Sequence, residues 1–322
     1  MVGSGNRERV DIGVFQHLAV INVNPERMRD FFSYSSFVWE SSHLQSSHDF
    51  GLQKISFFLW ILTIMTFEFD GEKYSQASKH QKEWGNRIIS ELPLRGDETV
   101  LDLGCGDGVL TAQLALMVPN GRVIGIDASK GMIETAEKQR KPDLVFRLMD
   151  INHLDLPEKF DLIFSNATLH WIKDHNRLLS RVWEILKEKG RIRFNFAGEG
   201  NCATFIRIVE EVMKEKKFAV RFERFEWPRF MPSREEYAGL LSRFTFREIR
   251  IWEEEADRYF ADAEEMIRWI DQPNLVPFLP LLQEENRLEF RSRIVERMLQ
   301  ETLQEDGRCF EVFRRINVFA LK

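Results

Sequence analysis

The chain has 322 residues, 43% hydrophobic and 30% charged, with a formal net charge of −6. That balance suits a soluble globular protein and excludes a disordered one. The acidic charge, with Lys and Arg interspersed among Glu and Asp rather than gathered in a one-sign run, argues against a nucleic-acid partner.

Three cysteines, Cys105, Cys202 and Cys309, have neither metal-ligand spacing nor the even count of a disulfide framework. They read as reduced thiols of a cytoplasmic protein with no metal site. From Met1 to Ile64 the chain is rich in Ser, His and Phe and shows no sustained period. Its apolar run, Ile55–Phe67, is about 13 residues, short of the roughly 20 that cross a bilayer. It also lies too far from the N-terminus, with no basic region before it, for an ordinary signal peptide. Two readings are open: an arm that meets a membrane surface or a partner, or a dispensable leader with Met65 as the working start. The change to patterned sequence just after Met65 favours the second, so no membrane partner is expected. It divides the chain into an extension of uncertain role, 1–64, and one domain, 65–322.

From Lys82 to Leu94 the spacing of Trp84, Ile88, Ile89 and Leu92 predicts an amphipathic helix, punctuated by Pro93 and Gly96. A short apolar strand follows at Thr99–Leu103 and runs into Gly104-Cys105-Gly106-Asp107-Gly108, where Cys105 reads as a small packing residue. Helix resumes over Val109–Met117 and stops at Pro119-Asn120-Gly121. The second strand, Arg122–Ile126, ends at Asp127, and Ser129 caps a helix reaching Lys138. The third strand, Leu144–Met149, ends at Asp150; the fourth, Phe160–Phe164, ends at Ser165-Asn166. A helix from Asn176 to Lys187 is expected to stop at Gly190, before a fifth strand at Arg191–Phe196. Strands alternating with helices of this length predict an α/β, Rossmann-like sheet, mostly parallel, with its ligands at the carboxyl ends of the strands.

Beyond a helix at Phe205–Met213 the rhythm changes. The stretch Phe218–Phe244 holds a Trp-Pro, a Met-Pro-Ser and a helix capped by Ser233. A strand-like segment, 246–254, precedes a helical block at Ala263–Gln304, and the last strand is Phe313–Leu321. The sheet is therefore expected to close with an antiparallel last strand, with 218–244 and 255–310 as a helical lid over the site.

The loop Asp102-Leu103-Gly104-Cys105-Gly106-Asp107-Gly108 sits where glycines let the backbone turn tightly and approach a ligand, just before a helix N-terminus. The dinucleotide fingerprint G-x-G-x-x-G fails, because its third glycine falls on Val109. The pattern D-x-G-x-G-x-G instead resembles the first motif of class I methyltransferases, which implies S-adenosyl-L-methionine as cofactor. Asp127, about twenty residues past the first glycine, ends a strand where an acid accepts from both ribose hydroxyls. Asp150, with Ile151 beside it, ends the next, where that family places a carboxylate toward the adenine amino group. A lone strand-end Asp is as often a turn or cap residue. Three acids at three successive strand ends beside a glycine loop set this pattern apart. The candidate cofactor-binding set is Asp102, Gly104, Gly106, Asp127, Asp150, Ile151 and Asn166.

The stretch 164–194, opening with Ser165-Asn166-Ala167-Thr168-Leu169-His170-Trp171, resembles the trans-aconitate methyltransferase family and its relatives, the malonyl carrier-protein and juvenile-hormone-acid methyltransferases. Residues 273–282 and 306–321 resemble the trans-aconitate branch in particular. The resemblance covers about residues 70–322 and leaves 1–64 unmatched. It implies an enzyme that methylates a small-molecule carboxylate. By the same resemblance, Asn166 and Ala167 line the methionine end of the cofactor, and Gln81 and Trp171 hold the acceptor carboxylate. Residues 195–201 depart from the Met-Pro text of the trans-aconitate enzymes, which leaves the acid itself open.

A carboxylate is already ionised at pH 7, so its methylation needs no general base; proximity, alignment and exclusion of water carry the rate. His170 offers the competing reading, a general base for a hydroxyl acceptor, against a purely structural role. His80, His153 and His175 read as surface residues. Arg221, Arg224 and Arg229 read as surface arginines rather than holders of a second acidic group. Methyl transfer to a hydroxyl, amine or thiol stays as an alternative, as does a catalytically silent cofactor-binding module. The intact glycine loop and strand-end acids speak against the silent module. Asn166-Ala167-Thr168-Leu169, in place of an Asn-Pro-Pro-Tyr text, speaks against methylation of amide or base nitrogens.

Overall fold

The run Val100-Leu101-Asp102-Leu103 is buried on both of its faces, as in a central strand of a sheet covered on two sides. In the computed structural model, which describes residues 79–322, this strand (β1, Thr99–Leu103) lies between β2 (Arg122–Asp127) and β4 (Phe160–Asn166), both parallel to it. β3 (Leu144–Leu148) extends the sheet beyond β2, and β5 (Leu186–Ala197) extends it beyond β4. The last strand, β9 (Arg314–Leu321), runs antiparallel to both β5 and the edge strand β6 (Glu248–Glu255). The seven strands stand in the order β3-β2-β1-β4-β5-β9-β6. This is the expected Rossmann-like sheet with its antiparallel last strand.

Neighbouring residues of a strand serve opposite faces. On one face Val100, Val123 and Phe164 pack against Ile88 of α1 (Lys79–Ser90), Leu114 of α2 (Val109–Met117) and Ile133 of α3 (Lys130–Ala136). On the other, Leu101, Ile163 and Phe194 meet Leu178 and Val182 of α4 (His175–Ile185). A second core holds α5 (Ala203–Met213), α6 (Ala219–Phe222), the hairpin of β7 (Arg258–Phe260) with β8 (Cys309–Glu311), α8 (Ala263–Trp269) and α9 (Glu284–Thr302). It buries Phe205, Phe218, Trp269, Phe290 and Phe313 and forms a cap. The remaining helix, α7 (Arg234–Leu241), begins in a capping box of Ser233 and Glu236.

Of the two segments expected as a lid, 255–310 supplies β7, α8, α9 and β8 to the cap. The other is shared: Phe218 and Phe222 lie in the cap core, whereas Tyr237 and Leu241 of α7 join the sheet core. The division between 1–64 and 65–322 lies outside the described residues. Among the described residues, no helix is long and apolar enough to cross a membrane.

One local expectation needs correction, and two features were not foreseen. α4 ends at Ile185, and Gly190 is not its stop. Leu186 takes extended backbone and pairs with Phe160, after which the register jumps to Leu162 opposite Arg191. Residues 187–190 therefore bulge out of β5, with Lys189 at φ +64°. The block from Ala263 to Gln304 is not one helix: α8 stops at Trp269 and α-helix resumes only at Glu284, with short π and 3-10 turns at Ile270–Asn274 and Leu279–Leu281. Pro273, Pro277 and Pro280 remove backbone donors between them. The β7–β8 hairpin, with strands of three residues each, is too short to show a period in sequence.

Candidate active site

The loop from β1 to α2 holds Gly104 at φ +75° and Gly106 at φ +55°, a region that strains other residues. A Cβ on Gly104 would also lie 2.1 Å from Thr168, so the loop after β4 packs directly on this backbone. Gly106 differs: a Cβ there would meet nothing within 4 Å, so it faces open space. The Asp127 carboxylate accepts the Gly106 N–H at 3.0 Å and the Ser129 N–H at 2.9 Å, joining the loop to the end of β2. Asp102, 2% exposed, accepts the Thr111 hydroxyl at 2.7 Å. Burial raises its pKa to about 7, the Thr111 hydrogen bond opposing the rise and the Asp127 charge adding to it.

Asp150 caps the turn Ile151–His153, accepting the Asn152 N–H at 2.9 Å. The Ile151 side chain is buried in the sheet core. Asn166 donates from Nδ2 to the Gln81 carbonyl at 2.9 Å, while its Oδ1 is buried with no partner. Because the strands run in the order β3-β2-β1-β4, Asp150, Asp127, the glycines and Asn166 stand side by side at carboxyl ends. The open cradle at Gly106, the strand-end carboxylates and the orphaned Asn166 oxygen fit a ligand bearing hydroxyls and amines.

Beside this loop, a cavity of about 440 Å³, counted with its opening to solvent, lies between the strand ends and the cap. Gln81 and Trp84 of α1 line it, with His170 and Trp171 from the turn after β4. Arg229, Trp269 and Asn274 enter from the cap side, and Arg315 from β9. The fold thus brings together Gln81, His170 and Trp171, the three candidate acceptor residues. The turn that carries two of them is held from several sides. The Ala167 N–H donates to the Asn195 carbonyl at 2.7 Å, and the Phe230 N–H donates to the His170 carbonyl at 2.8 Å.

His175 is not a surface residue: it is 2% exposed, with Nε2 3.0 Å from the Leu169 carbonyl and Nδ1 3.2 Å from the Tyr237 hydroxyl. It opens the inward face of α4 among Phe196, Phe230 and Tyr237. Burial lowers its pKa to about 4, against the opposing pull of backbone carbonyls. His153 is half exposed, with Nδ1 3.5 Å from Asp150 Oδ2; the His80 side chain lies outside the described residues. His170 Nδ1 is buried without a partner. Burial first, then the charges of Arg229 and Arg315, hold its pKa well below the usual value.

Arg229 also departs from expectation, while Arg221 and Arg224 are exposed. Trp227 packs on the cap core and Phe230 on the sheet core, which pins the residue between them at the seam. The Arg229 guanidinium lies 4.6 Å from the Trp171 ring centroid, and Nη2 donates to Asn274 Oδ1 at 2.9 Å. Its Nε is buried with no partner. Arg315 is 4% exposed; its Nε donates to Asn195 Oδ1 at 2.9 Å, and its guanidinium lies 4.6 Å from the Trp84 ring centroid. Among the described residues, no Asp or Glu lines the cavity.

A family model described as a methyltransferase domain matches residues 94–264, more than half of the chain. The trans-aconitate 2-methyltransferase of Deinococcus radiodurans is 33% identical over 216 residues, which is 66% of this chain and 82% of that relative. The chain belongs to the class I S-adenosylmethionine-dependent methyltransferases. The trans-aconitate 2-methyltransferase of Escherichia coli O17:K52:H18 is 29% identical over 240 residues, 72% of this methyltransferase and 90% of that one. In structure, the YcgJ protein of Bacillus subtilis superposes with a TM-score of 0.52 at 18% identity, covering 75% of this chain and 98% of that one. Phosphoethanolamine N-methyltransferase 2 of Haemonchus contortus, in complex with S-adenosyl-L-methionine, gives 0.50 at 19% identity, covering 78% and 56%. Both share the fold. The enzyme's cofactor is S-adenosyl-L-methionine.

Sequence reasoning missed Trp84, Asn274 and Arg315 as residues of this methyltransferase's cavity, and set Arg229 aside. Trp84 had a signal, since it follows Gln81 by one helical turn and shares its face. So had Arg315, which alternates with Ile316 and Val318 in a buried strand. Asn274 had none: it reaches the cavity only because the proline-broken segment folds across the cap. Among the described residues, no group of His, Cys, Asp and Glu is placed to hold a metal ion.

Proposed function

We propose that the enzyme methylates a carboxylate of a small-molecule acid, giving a methyl ester. The observation that carries this reading is the charge of the cavity: two guanidiniums, Arg229 and Arg315, and no carboxylate among the described residues of its lining. In a chain of net charge −6, such a local reversal favours an anionic acceptor. The relatives named trans-aconitate 2-methyltransferase support the same class of acceptor.

Gly104, Gly106, Asp127, Asp150 and Asn166 would hold the cofactor, with Asp102 behind the loop and Ile151 beside Asp150. S-adenosyl-L-methionine, when bound, supplies a methyl group activated by its sulfonium. The remaining work falls to this chain's own residues. The Gln81 side-chain amide and the Trp171 indole can donate only through N–H toward a carboxylate oxygen, which orients the acceptor toward the cofactor site. The cap excludes water. An ionised oxygen needs no proton removed, so no group has to act as base. The lid role of 255–310 and the domain boundary at Met65 belong to this proposal, as does a cytoplasmic location, which the three buried free thiols support.

One observation favours a second reading, in which His170 is a general base for a hydroxyl: its Nδ1 is buried and unpartnered. A base so placed is a weak one, however, because burial disfavours the imidazolium it would become and the two arginines then repel it. The test is incubation of the full chain with methyl-labelled cofactor and a panel of small acids, trans-aconitate among them, with hydroxyl and amine compounds alongside. A base-labile labelled ester is expected. Label on a hydroxyl or amine compound and on none of the acids overturns the proposal.

A further inference from the structure

Among the described residues, Arg229 is a cation without a counter-ion: no carboxylate pairs with it, its Nε is buried with no acceptor, and only Asn274 Oδ1 receives one of its hydrogen bonds. By contrast, the buried Arg193 donates to the Phe194 carbonyl and to Asn317 Oδ1, and it feels the charge of Glu254. A half-buried charge lining a cavity, with one donor buried and unmet, favours an anion that completes it. The site is also built. Asn274 is 3% exposed, and its Nδ2 donates to the Trp269 carbonyl at 2.9 Å, which fixes its Oδ1 toward the guanidinium. Trp171 stacks on the other side at 4.6 Å. Arg229 is thus oriented before any ligand arrives, as a fork that suits a planar carboxylate.

Resting on the ester-forming reading, we propose that Arg229 binds a second carboxylate of the acceptor and is the residue that selects acids with two or more carboxylates over those with one. The carboxylate at Gln81 and Trp171 receives the methyl group, and the one at Arg229 does not react. Since Arg229 lies against Trp171, the two groups fall within reach of one short-chain acid.

The test compares short-chain dicarboxylic acids with their own monoamides, which keep the shape and lose one charge. Two readouts are taken: kcat/KM for ester formation, and calorimetric affinity for the enzyme saturated with S-adenosylhomocysteine. The wild type should prefer the diacid by about a hundredfold in both. Arg229→Gln should collapse that ratio to within about threefold, and Arg229→Lys, which keeps the charge without the fork, should fall between. A variant that lowers both compounds alike shows that Arg229 only supports Trp171, and it overturns the proposal. If Arg229→Gln does not fold, the wild-type ratio decides, since equal binding of diacid and monoamide overturns the proposal on its own. Diacid binding that depends on Arg229 without any ester formed would leave the subsite standing and sink the ester-forming reading instead.

Discussion

Lys82 Nζ lies 2.7 Å from Asp107 Oδ2, an ion pair that ties α1 to the glycine loop. Two further contacts fasten the same helix: Gly85 packs so closely on Leu110 that a Cβ would sit 2.2 Å away, and Asn166 holds the Gln81 carbonyl. Because α1 also carries Gln81 and Trp84 into the cavity, one helix serves both halves of the site. Lys82→Met leaves Asp107, whose side chain is 9% exposed, without this partner. The expected loss is about 1–3 kcal/mol of stability, between the values for exposed and buried pairs, with weaker cofactor binding. Urea unfolding and calorimetric titration check both; no change in either would mean that α1 is held by packing alone.

If Asp127 holds the ribose as proposed, Asp127→Ala should weaken S-adenosylmethionine binding about ten- to hundredfold, a loss of roughly 1–3 kcal/mol. It also frees the Gly106 and Ser129 N–H groups that the carboxylate now holds. Calorimetry on a folded variant that returned the wild-type affinity would falsify the assignment.

Asp102 gives a pH dependence with a definite sign. Its folded-state pKa of about 7 lies above that of an unfolded chain, so the fold favours the protonated form. That contribution is complete below about pH 4 and is lost as pH rises toward 7, at about 1.4 kcal/mol per pH unit. Asp102→Asn keeps an acceptor for Thr111 and removes the titration. Between pH 5 and pH 8 the wild type should lose about 2–3 kcal/mol more than this variant. Parallel urea curves for the two proteins at both pH values would rule the titration out.

For a carboxylate acceptor, the rate should be flat above about pH 6, where the acid is ionised. His170→Asn should then be mild, within about tenfold, whereas Gln81→Ala should lower kcat and kcat/KM together. A rate that climbs through pH 7–8, with a loss of about a hundredfold in His170→Asn, is the signature of a general base. That outcome would move the acceptor to a hydroxyl.

The parallel half of the sheet was legible from residue order alone. β1 and β2 are short apolar runs buried on both faces and closed by Gly104 and Asp127, while β3 runs into Asp150 and β4 ends on Asn166. The glycine loop, Asp127 and Asp150 could be read for the same reason: backbone conformation and strand ends are local properties. Gln81 and Trp171 came by resemblance and His170 by the chemistry of an imidazole, and the fold does set them around one cavity. What tertiary structure alone decided is which polar side chains end up away from water. Nothing near Arg229 in sequence separates it from the exposed Arg221 and Arg224; its half-buried place follows from Trp227 and Phe230 anchoring on two different cores. His175 reads as a surface residue until Leu169 and Tyr237 fold onto its two ring nitrogens. Burial of a charge depends on elements far apart in the chain arriving at one place, and neither period nor spacing records where they meet.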